Sequence, residues 1–491
     1  MPFSLFSPAP APLCRGAALV ALALGLGGCA NFAGIGPKAR MTEPQALGLG
    51  SAATQAAPAS TAPAVPAPAS VVASPTWWTR FGDAQLDALV QQALQNHPNL
   101  RIAQARVARA QALNDTIAST ELPNVTGAVD ATRQRFSANS IYPPPLAGGV
   151  YETANAQITA GYEFDLFGKN RAALDAALGQ VRAAQADAQA AELLLATQVT
   201  RSYFTLLRIN ALQALAQRNL AQREQLLALV QSRLAAGLDS PTELRNSEAS
   251  LPEIRQYAES LREQAALTRN ALAALTGQPL GLRDLKAGTL AQIKPQAAPQ
   301  AVPLDLLANR PDVAAARARV EAALSDVEVA KAQFYPNINL VAFAGLNSIG
   351  FGNISKAGSE QWGVGPAIRL PIFDGGRLRA QLKGRAADVD VAVESYNALV
   401  IEAVREVADQ ITTLQSIARQ SQEQQFGLAA AQTLQDIAAQ RFAAGLSSRA
   451  NVLNAQSAVL AQERQAIDLA ARTLDAQAQL LRATGGSVTA P

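Results

Sequence analysis

From Tyr151 to Leu166 the chain alternates between apolar and polar positions. Ala154, Ala156, Ile158, Ala160, Tyr162, Phe164 and Leu166 share one parity, and Asn155, Gln157, Thr159, Gly161, Glu163 and Asp165 share the other. Gln361 to Leu370 repeats this, with Trp362, Val364, Pro366, Ile368 and Leu370 set against Gln361, Gly363, Gly365, Ala367 and Arg369. Successive strand side chains point to opposite faces, so a period of two predicts strands with one apolar and one polar face. Val125 to Phe136 and Asn337 to Leu346 are less regular but similar in length. About ten alternating residues suit a strand that crosses a membrane, lipid on one side and water on the other. A soluble sandwich gives the same alternation, so the strands alone leave both readings open.

Elsewhere the period changes to three and four. Arg171 to Ala236 contains no proline and predicts a helix roughly 100 Å long at about 1.5 Å per residue. Arg182, Asp187, Glu192, Arg201, Arg208, Arg218, Arg223 and Glu224 interrupt it throughout, which excludes a membrane span. Leu212, Ala216, Leu220, Leu227, Val230 and Leu234 form a stripe broken only at Arg223. Such a stripe seats one helix on another, and abundant alanines let the backbones approach closely. Arg377 to Ala444 is a second proline-free rod. Shorter helices are expected over Ala84 to Ser119 and Leu304 to Gln333, each stopping ahead of a proline, Pro123 or Pro336. Returning helices are expected over Pro241 to Thr276 and Ala450 to Ala483, the first opened by Asp239-Ser240-Pro241. Pro252 within it should kink or break it.

The order of these elements repeats. Asn96-His97-Pro98-Asn99-Leu100 matches Asn309-Arg310-Pro311-Asp312-Val313, and Leu122-Pro123-Asn124-Val125 matches Tyr335-Pro336-Asn337-Ile338, both at an offset of 213. Arg233-Leu234-Ala235-Ala236-Gly237-Leu238 matches Arg441-Phe442-Ala443-Ala444-Gly445-Leu446, and Leu275-Thr276-Gly277 matches Ala483-Thr484-Gly485, both at 208. Four matches in one order at nearly constant offset mark an internal duplication. Each half holds a helix, two strands, a long helix and a returning helix. Four strands cannot close around a water-filled centre, and an open sheet edge cannot lie in hydrocarbon. If the strands are in a membrane, several chains must pool them. The expectation is an oligomeric conduit, part barrel and part helical tunnel.

Composition narrows the function classes. Charged residues are 16% and aromatics 5% of the chain, which favours close-packed helices over aromatic-filled cores. A formal charge of +3 with no basic aromatic patch gives no reason to expect a nucleic-acid partner. The two cysteines, Cys14 and Cys29, both lie near the start, and His97 is the sole histidine. One histidine cannot share a metal or complete a triad, so His97 reads as a helix-boundary residue. The run Ala17 to Gly28, preceded by Arg15, is too short to span a bilayer and reads as a cleaved export signal. Residues 51 to 76, mostly Ala, Pro, Ser and Thr, read as an extended tether. The expected organisation is a signal over 1–28, an acylated start and linker over 29–76 and a first repeat over 77–277. A connecting segment over 278–303, a second repeat over 304–485 and a tail over 486–491 follow. No nucleophile–base set, phosphate loop or metal cluster stands out, so neither an enzyme nor a cofactor is expected.

Leu26-Gly27-Gly28-Cys29 resembles a bacterial lipobox, which implies an acylated Cys29, and Ala30 after it is compatible with sorting to the outer membrane. Trp77-Trp78-Thr79-Arg80-Phe81, Asp165-Leu166-Phe167-Gly168-Lys169-Asn170-Arg171 and Pro371-Ile372-Phe373-Asp374-Gly375-Gly376-Arg377 resemble the TolC-like outer-membrane factors, closest to the lipoprotein branch serving resistance-nodulation-division pumps. The resemblance covers roughly residues 75 to 486. It implies a mainly α fold with β, a homotrimer with a shared twelve-stranded barrel, four strands per chain, and a twelve-helix periplasmic tunnel. It also implies a periplasmic adaptor and, through it, an inner-membrane pump. Gly168, Gly375 and Gly376 sit where strand becomes helix and let the chain turn. Ala235, Ala236, Gly237, Leu238, Ala443, Ala444, Gly445 and Leu446 read as helix caps, and the resemblance makes them adaptor-docking tips. Relatives often carry acidic rings at the narrow end. Here the matching positions are Asn451 and Asn454, with Glu243 in the first half, so a closed aperture of weaker cation selectivity is expected. A type I protein-secretion channel and a pore-less coiled-coil lipoprotein are the competing expectations.

Overall fold

The computed structural model describes residues 32–42, 76–139, 141–278, 285, 288–295 and 309–486. The export signal, Cys29, most of the linker, most of the connecting segment and residues 304–308 lie outside the described residues. The chain forms two compact units, one built mainly from 106–184 and 316–396, the other from 76–105, 185–315 and 397–486. Each unit draws on both repeats.

The first unit holds one sheet of four antiparallel strands in the order β1 (Asn124–Arg135), β2 (Val150–Phe164), β3 (Asn337–Ile349) and β4 (Glu360–Arg369). The alternation fixes the register, because a slip of one residue would exchange the two faces. Ile158 stands between Gly127 and Ala344, and Ala344 faces Trp362; one row away Gln157 stands beside Gly345, which faces Gln361. Paired residues share a face, so Val125, Val129, Ile158, Val364, Trp362 and Ile368 line one side, and all are exposed. Strand β2 ends two residues short of Leu166, whose amide turns back to the Phe164 carbonyl, and β3 runs past Leu346 to Ile349.

In the same unit, α5 (Pro311–Ala332) lies against portions of two long helices, α3 (Lys169–Ala235) and α6 (Arg377–Ala443). The approach to α3 is close: a Cβ placed on Gly179 would sit 2.8 Å from the Ala322 Cβ. Arg182 pairs with Glu321 at 4.0 Å, and Arg385 of α6 with Asp326 at 3.8 Å. The amides of Lys38 and Ala39 donate to Asp390 Oδ1 of α6.

The second unit has an aromatic core despite the low aromatic content. The turn Trp77–Phe81 plugs Trp77, Trp78 and Phe81 among Leu86 and Val90 of α1 (Ala84–Asn96), Tyr203 and Phe204 of α3, Leu261 and Leu272 of α4 (Pro241–Leu275), and Leu474 and Leu481 of α7 (Arg449–Ala483). Phe81 meets Phe204 edge to face at 4.9 Å, a favoured aromatic geometry. Asp83 caps α1 by accepting from the Gln85 and Leu86 amides, and it also takes the Tyr203 hydroxyl at 2.8 Å.

Two expectations about helices need correction. Ala84 to Ser119 is not one helix. It breaks at His97, which is extended (φ −70°, ψ 127°), and α2 begins at Pro98 and ends at Ala118. Proline disfavours the helical region in the residue before it, and at N1 its missing N–H costs nothing. The second-repeat helix likewise starts on its proline, Pro311. At Pro252 the opposite holds, and α4 runs through unbroken. Pro252 is exposed, so water can serve the carbonyl that the missing N–H leaves unpaired. The stripe on α3 thins toward its end: Leu212 and Ala216 are buried, whereas Leu220, Leu227, Val230 and Leu234 are half-buried.

Candidate functional site

The duplicated Ala-Ala-Gly-Leu segments close two helical hairpins. Helix α3 ends at Ala235 and α4 starts at Pro241; α6 ends at Ala443 and α7 starts at Arg449. Gly237 and Gly445 take φ of +70° and +74°, which only glycine adopts freely. The Leu238 amide reaches the Arg233 carbonyl at 2.8 Å and the Gly237 amide the Leu234 carbonyl at 2.9 Å. Leu446 to Arg441 and Gly445 to Phe442 repeat this at 2.8 and 2.9 Å. Both are Schellman caps, which satisfy the last carbonyls of each long helix. What remains outside is small and apolar: Ala235, Ala236, Ala443 and Ala444 are exposed, as are Leu238 and Leu446.

The next turn differs between hairpins. Ser240 and Ser448 each cap the returning helix by accepting the amide three residues on, from Glu243 and Asn451. Glu243 and Asn451 are therefore equivalent first-turn positions, Asn454 follows one turn later, and all three are exposed. Among the described residues no hydrogen bond or ion pair joins Glu243 to either asparagine. In the first hairpin Arg233 holds Asp239 through two bonds of 2.8 and 3.3 Å. In the second, Ser447 stands in place of Asp239 and accepts from the Asn451 side chain at 3.0 Å, and Arg449 lies over the Phe442 ring at 5.8 Å.

At the strand-to-helix turns Gly168, Gly375 and Gly376 take φ of +73°, +67° and +88°, and a Cβ would meet nothing at any of them. Backbone conformation, not space, requires glycine there. The neighbouring acids cap the long helices: Asp165 accepts the Arg171 amide, and Asp374 the Gly376 and Leu378 amides. These bonds, the Leu378 amide first, hold the Asp374 carboxyl below its ordinary pKa. The polar face of the sheet is joined internally, Gln361 donating to Asn155 at 2.9 Å and to Gln157 at 3.2 Å.

Other functional-looking residues were not foreseeable from local pattern. Arg310, 3% exposed, holds Asp312 at 2.7 Å, Glu406 at 2.8 Å and the Ala483 carbonyl at 3.3 Å, and Arg482 closes the group on Glu406. Burial alone would raise the Asp312 pKa, but the hydrogen bond and charge of Arg310 prevail and hold it low. Arg201, Arg208 and Arg218 of α3 reach Asp475, Asp468 and Glu463 of α7, a ladder that fixes register more than stability because its members are partly exposed. Among the described residues no three His, Cys, Asp or Glu cluster as a metal site, and no helix is long and apolar enough to cross a membrane.

A chain with two duplicated helical hairpins and an open four-stranded sheet can be compared with known proteins. The outer membrane efflux protein family profile matches residues 89–278 and 302–486. The chain belongs to that family. Among curated relatives it is 37% identical over 380 residues to the fusaric acid resistance protein FusA of Burkholderia cepacia, covering 76% of this chain and 69% of FusA. It is 33% identical over 429 residues to the multidrug resistance outer membrane protein MdtP of Escherichia coli, covering 84% and 86%. The structure of the outer membrane protein VceC of Vibrio cholerae superposes with a TM-score of 0.77 at 32% identity, over 84% of this chain and 99% of VceC. As a member of the outer membrane efflux protein family the chain is an efflux channel of the outer membrane and not an enzyme.

Proposed function

We propose that the chain is the passive exit duct of a tripartite efflux system powered by a resistance-nodulation-division pump, carrying drugs or other small toxic compounds out of the periplasm. The observation that carries this reading is the sheet. It has one exposed apolar face, one hydrogen-bonded polar face, and two edges, β1 and β4, unpaired among the described residues. Unpaired edges cannot lie in lipid. Three chains supply twelve strands, enough to close a barrel around water, with the polar face as lumen. The long hairpins continue it as a periplasmic tunnel. The exposed alanines, glycines and leucines of the two tips (235–238 and 443–446) fit an adaptor, and Glu243, Asn451 and Asn454 line the narrow end. Lipid on Cys29 anchors the chain to the outer membrane. The resistance named in the relatives, to fusaric acid and to multiple drugs, supports small-molecule cargo.

Purified protein should run at three times the chain mass in detergent and conduct ions across a planar bilayer. A folded monomer without conductance would overturn the reading. The aperture has its own test. Multivalent cations should block weakly, because an asparagine ring has no charge to hold them; strong block that survives Glu243→Gln would contradict it.

A further inference from the structure

A cavity of 850 Å³ opens where the sheet meets the helices of the first unit. Its walls come from the ends of β2 and β4 and the starts of α3 and α6. Asn337 and Arg369 are direct cross-strand partners, and their row is that of Glu163 and Asn339, the polar face. This wall is rich in cations, and the nearby acids are already engaged. Glu163 pairs with Lys169, Asp165 caps α3, and Asp374 caps α6. Arg369 and Arg377 line the cavity, both exposed, and among the described residues neither is within ion-pair distance of an acid; Arg377 donates to Gln381 at 3.5 Å, and its charge also helps to hold the Asp374 carboxyl low. Two further features are unspent. Phe167 and Tyr335 stack face to face at 4.7 Å, inclined by 8°, on the cavity wall. The side-chain oxygen of Asn337 is enclosed and has no hydrogen-bond partner.

We infer that this cavity is a way-station for aromatic organic acids. A guanidinium presents a planar fork matched to a carboxylate, and paired charge-assisted bonds are stronger than a single neutral one. The Phe167–Tyr335 pair gives an aromatic ring a flat apolar surface. The cavity lies at the strand ends, where Glu163, Asn337 and Arg369 of the polar face meet Phe164 and Ile368 of the apolar one; with the polar face as lumen, a charged occupant held by the arginines is cargo. The inference rests on the channel reading and adds a substrate class to it.

The test is calorimetry on the full-length protein in detergent, with salicylate as probe and salicylamide as its uncharged counterpart. Salicylate should bind saturably, salicylamide about tenfold more weakly or worse, and the Arg369→Gln, Arg377→Gln double variant should lose about tenfold in salicylate affinity. Phe167→Ala should weaken both probes. Equal binding of the two probes, unchanged affinity in the double variant, or no saturable binding would overturn the inference. If the double variant does not assemble, Arg369→Lys keeps the charge without the fork and should weaken salicylate severalfold; no change would count against the proposal. Wild-type protein that conducts but does not bind salicylate refutes the way-station and leaves the channel, whereas binding without conductance refutes the channel, and with it the way-station, and leaves only a carboxylate-binding site.

Discussion

Helix α5 buries Val313, Ala315, Ala318, Val320, Ala322, Val327 and Ala330, whereas α2, the same segment 213 residues earlier, buries only Leu100 and leaves Ile102 and Leu113 half exposed. The strands show the same contrast, β1 being exposed along its whole length. Both segments open on the same proline motif, so the difference comes from neighbours. Helix α5 has contacts to both α3 and α6, whereas among the described residues nothing covers α2 to the same extent. A duplicated chain thus carries in its second half a copy of the interface its first half lacks. In the proposed trimer, the adjacent chain's second repeat supplies the missing flank.

The sharpest way to break this comparison is to exchange one residue. Ala322 is fully buried against Gly179, and its first-repeat counterpart is the exposed Arg109. Ala322→Arg drives a long charged side chain into a contact too tight even for one more methyl group. It should abolish folding, read as loss of a cooperative thermal transition. Arg109→Ala should change chain stability by less than about 0.5 kcal/mol. An Ala322→Arg protein that melts like wild type would mean that α5 is not enclosed as described.

A second contrast lies at the proline motifs. Where the second repeat has Arg310 and Asp312, the first has His97 and Asn99, joined only by the Asn99 amide donating to His97 Nδ1 at 3.2 Å. Arg310→Met leaves Asp312 without its cation and Glu406 with Arg482 alone, and should cost about 3 kcal/mol, whereas His97→Ala should cost under about 1 kcal/mol. The Arg310 group also predicts a pH dependence. Asp312 titrates below the ordinary carboxylate value of 3.8 in the folded chain, so its contribution is fully present above that pH and is lost as pH falls through the lower folded value. Melts of wild type and Asp312→Asn should therefore differ at pH 7 and converge toward pH 3. A gap that stays constant would mean the carboxylate is not what Arg310 holds.

These contrasts show what a sequence carries in short range and what it does not. The strand faces, the glycine caps and the duplication were legible because each depends on spacing of a few residues or on a repeated word. The break at His97 was also written locally, in Asn-His-Pro, but helical periodicity on both sides masked it. The Arg310 group was not legible. Arg310 meets Glu406 across 96 positions, and which acid it finds depends on how α5 and α6 are set against each other. The cavity near Gly168 was hidden for the same reason, since Arg369, Arg377 and Phe167 come together only through the pairing of β2, β3 and β4.

The hairpin tips give the smallest expected effects and the finest test. Their caps are superimposable in hydrogen bonding, so Gly237→Ala and Gly445→Ala should each cost about 1 kcal/mol, equally, because each forces a Cβ into the left-handed region. Their flanks are not alike. Asp239→Ser makes the first tip resemble the second by removing the acid from Arg233. The pair is partly exposed, so the melting temperature should move little, but the Arg233 guanidinium would lose its acid, as at its counterpart Arg441 in the second tip. If the adaptor reads shape alone, its affinity should be unchanged by Asp239→Ser and reduced by Leu238→Asp at either salt concentration. If it reads charge, Asp239→Ser should shift affinity at low salt and not at high salt, where screening erases exposed charges. Surface plasmon resonance of the proposed adaptor on the immobilised protein distinguishes the two. The geometry favours shape, because the parts of the two tips that agree are the apolar knobs and the parts that disagree are the charges.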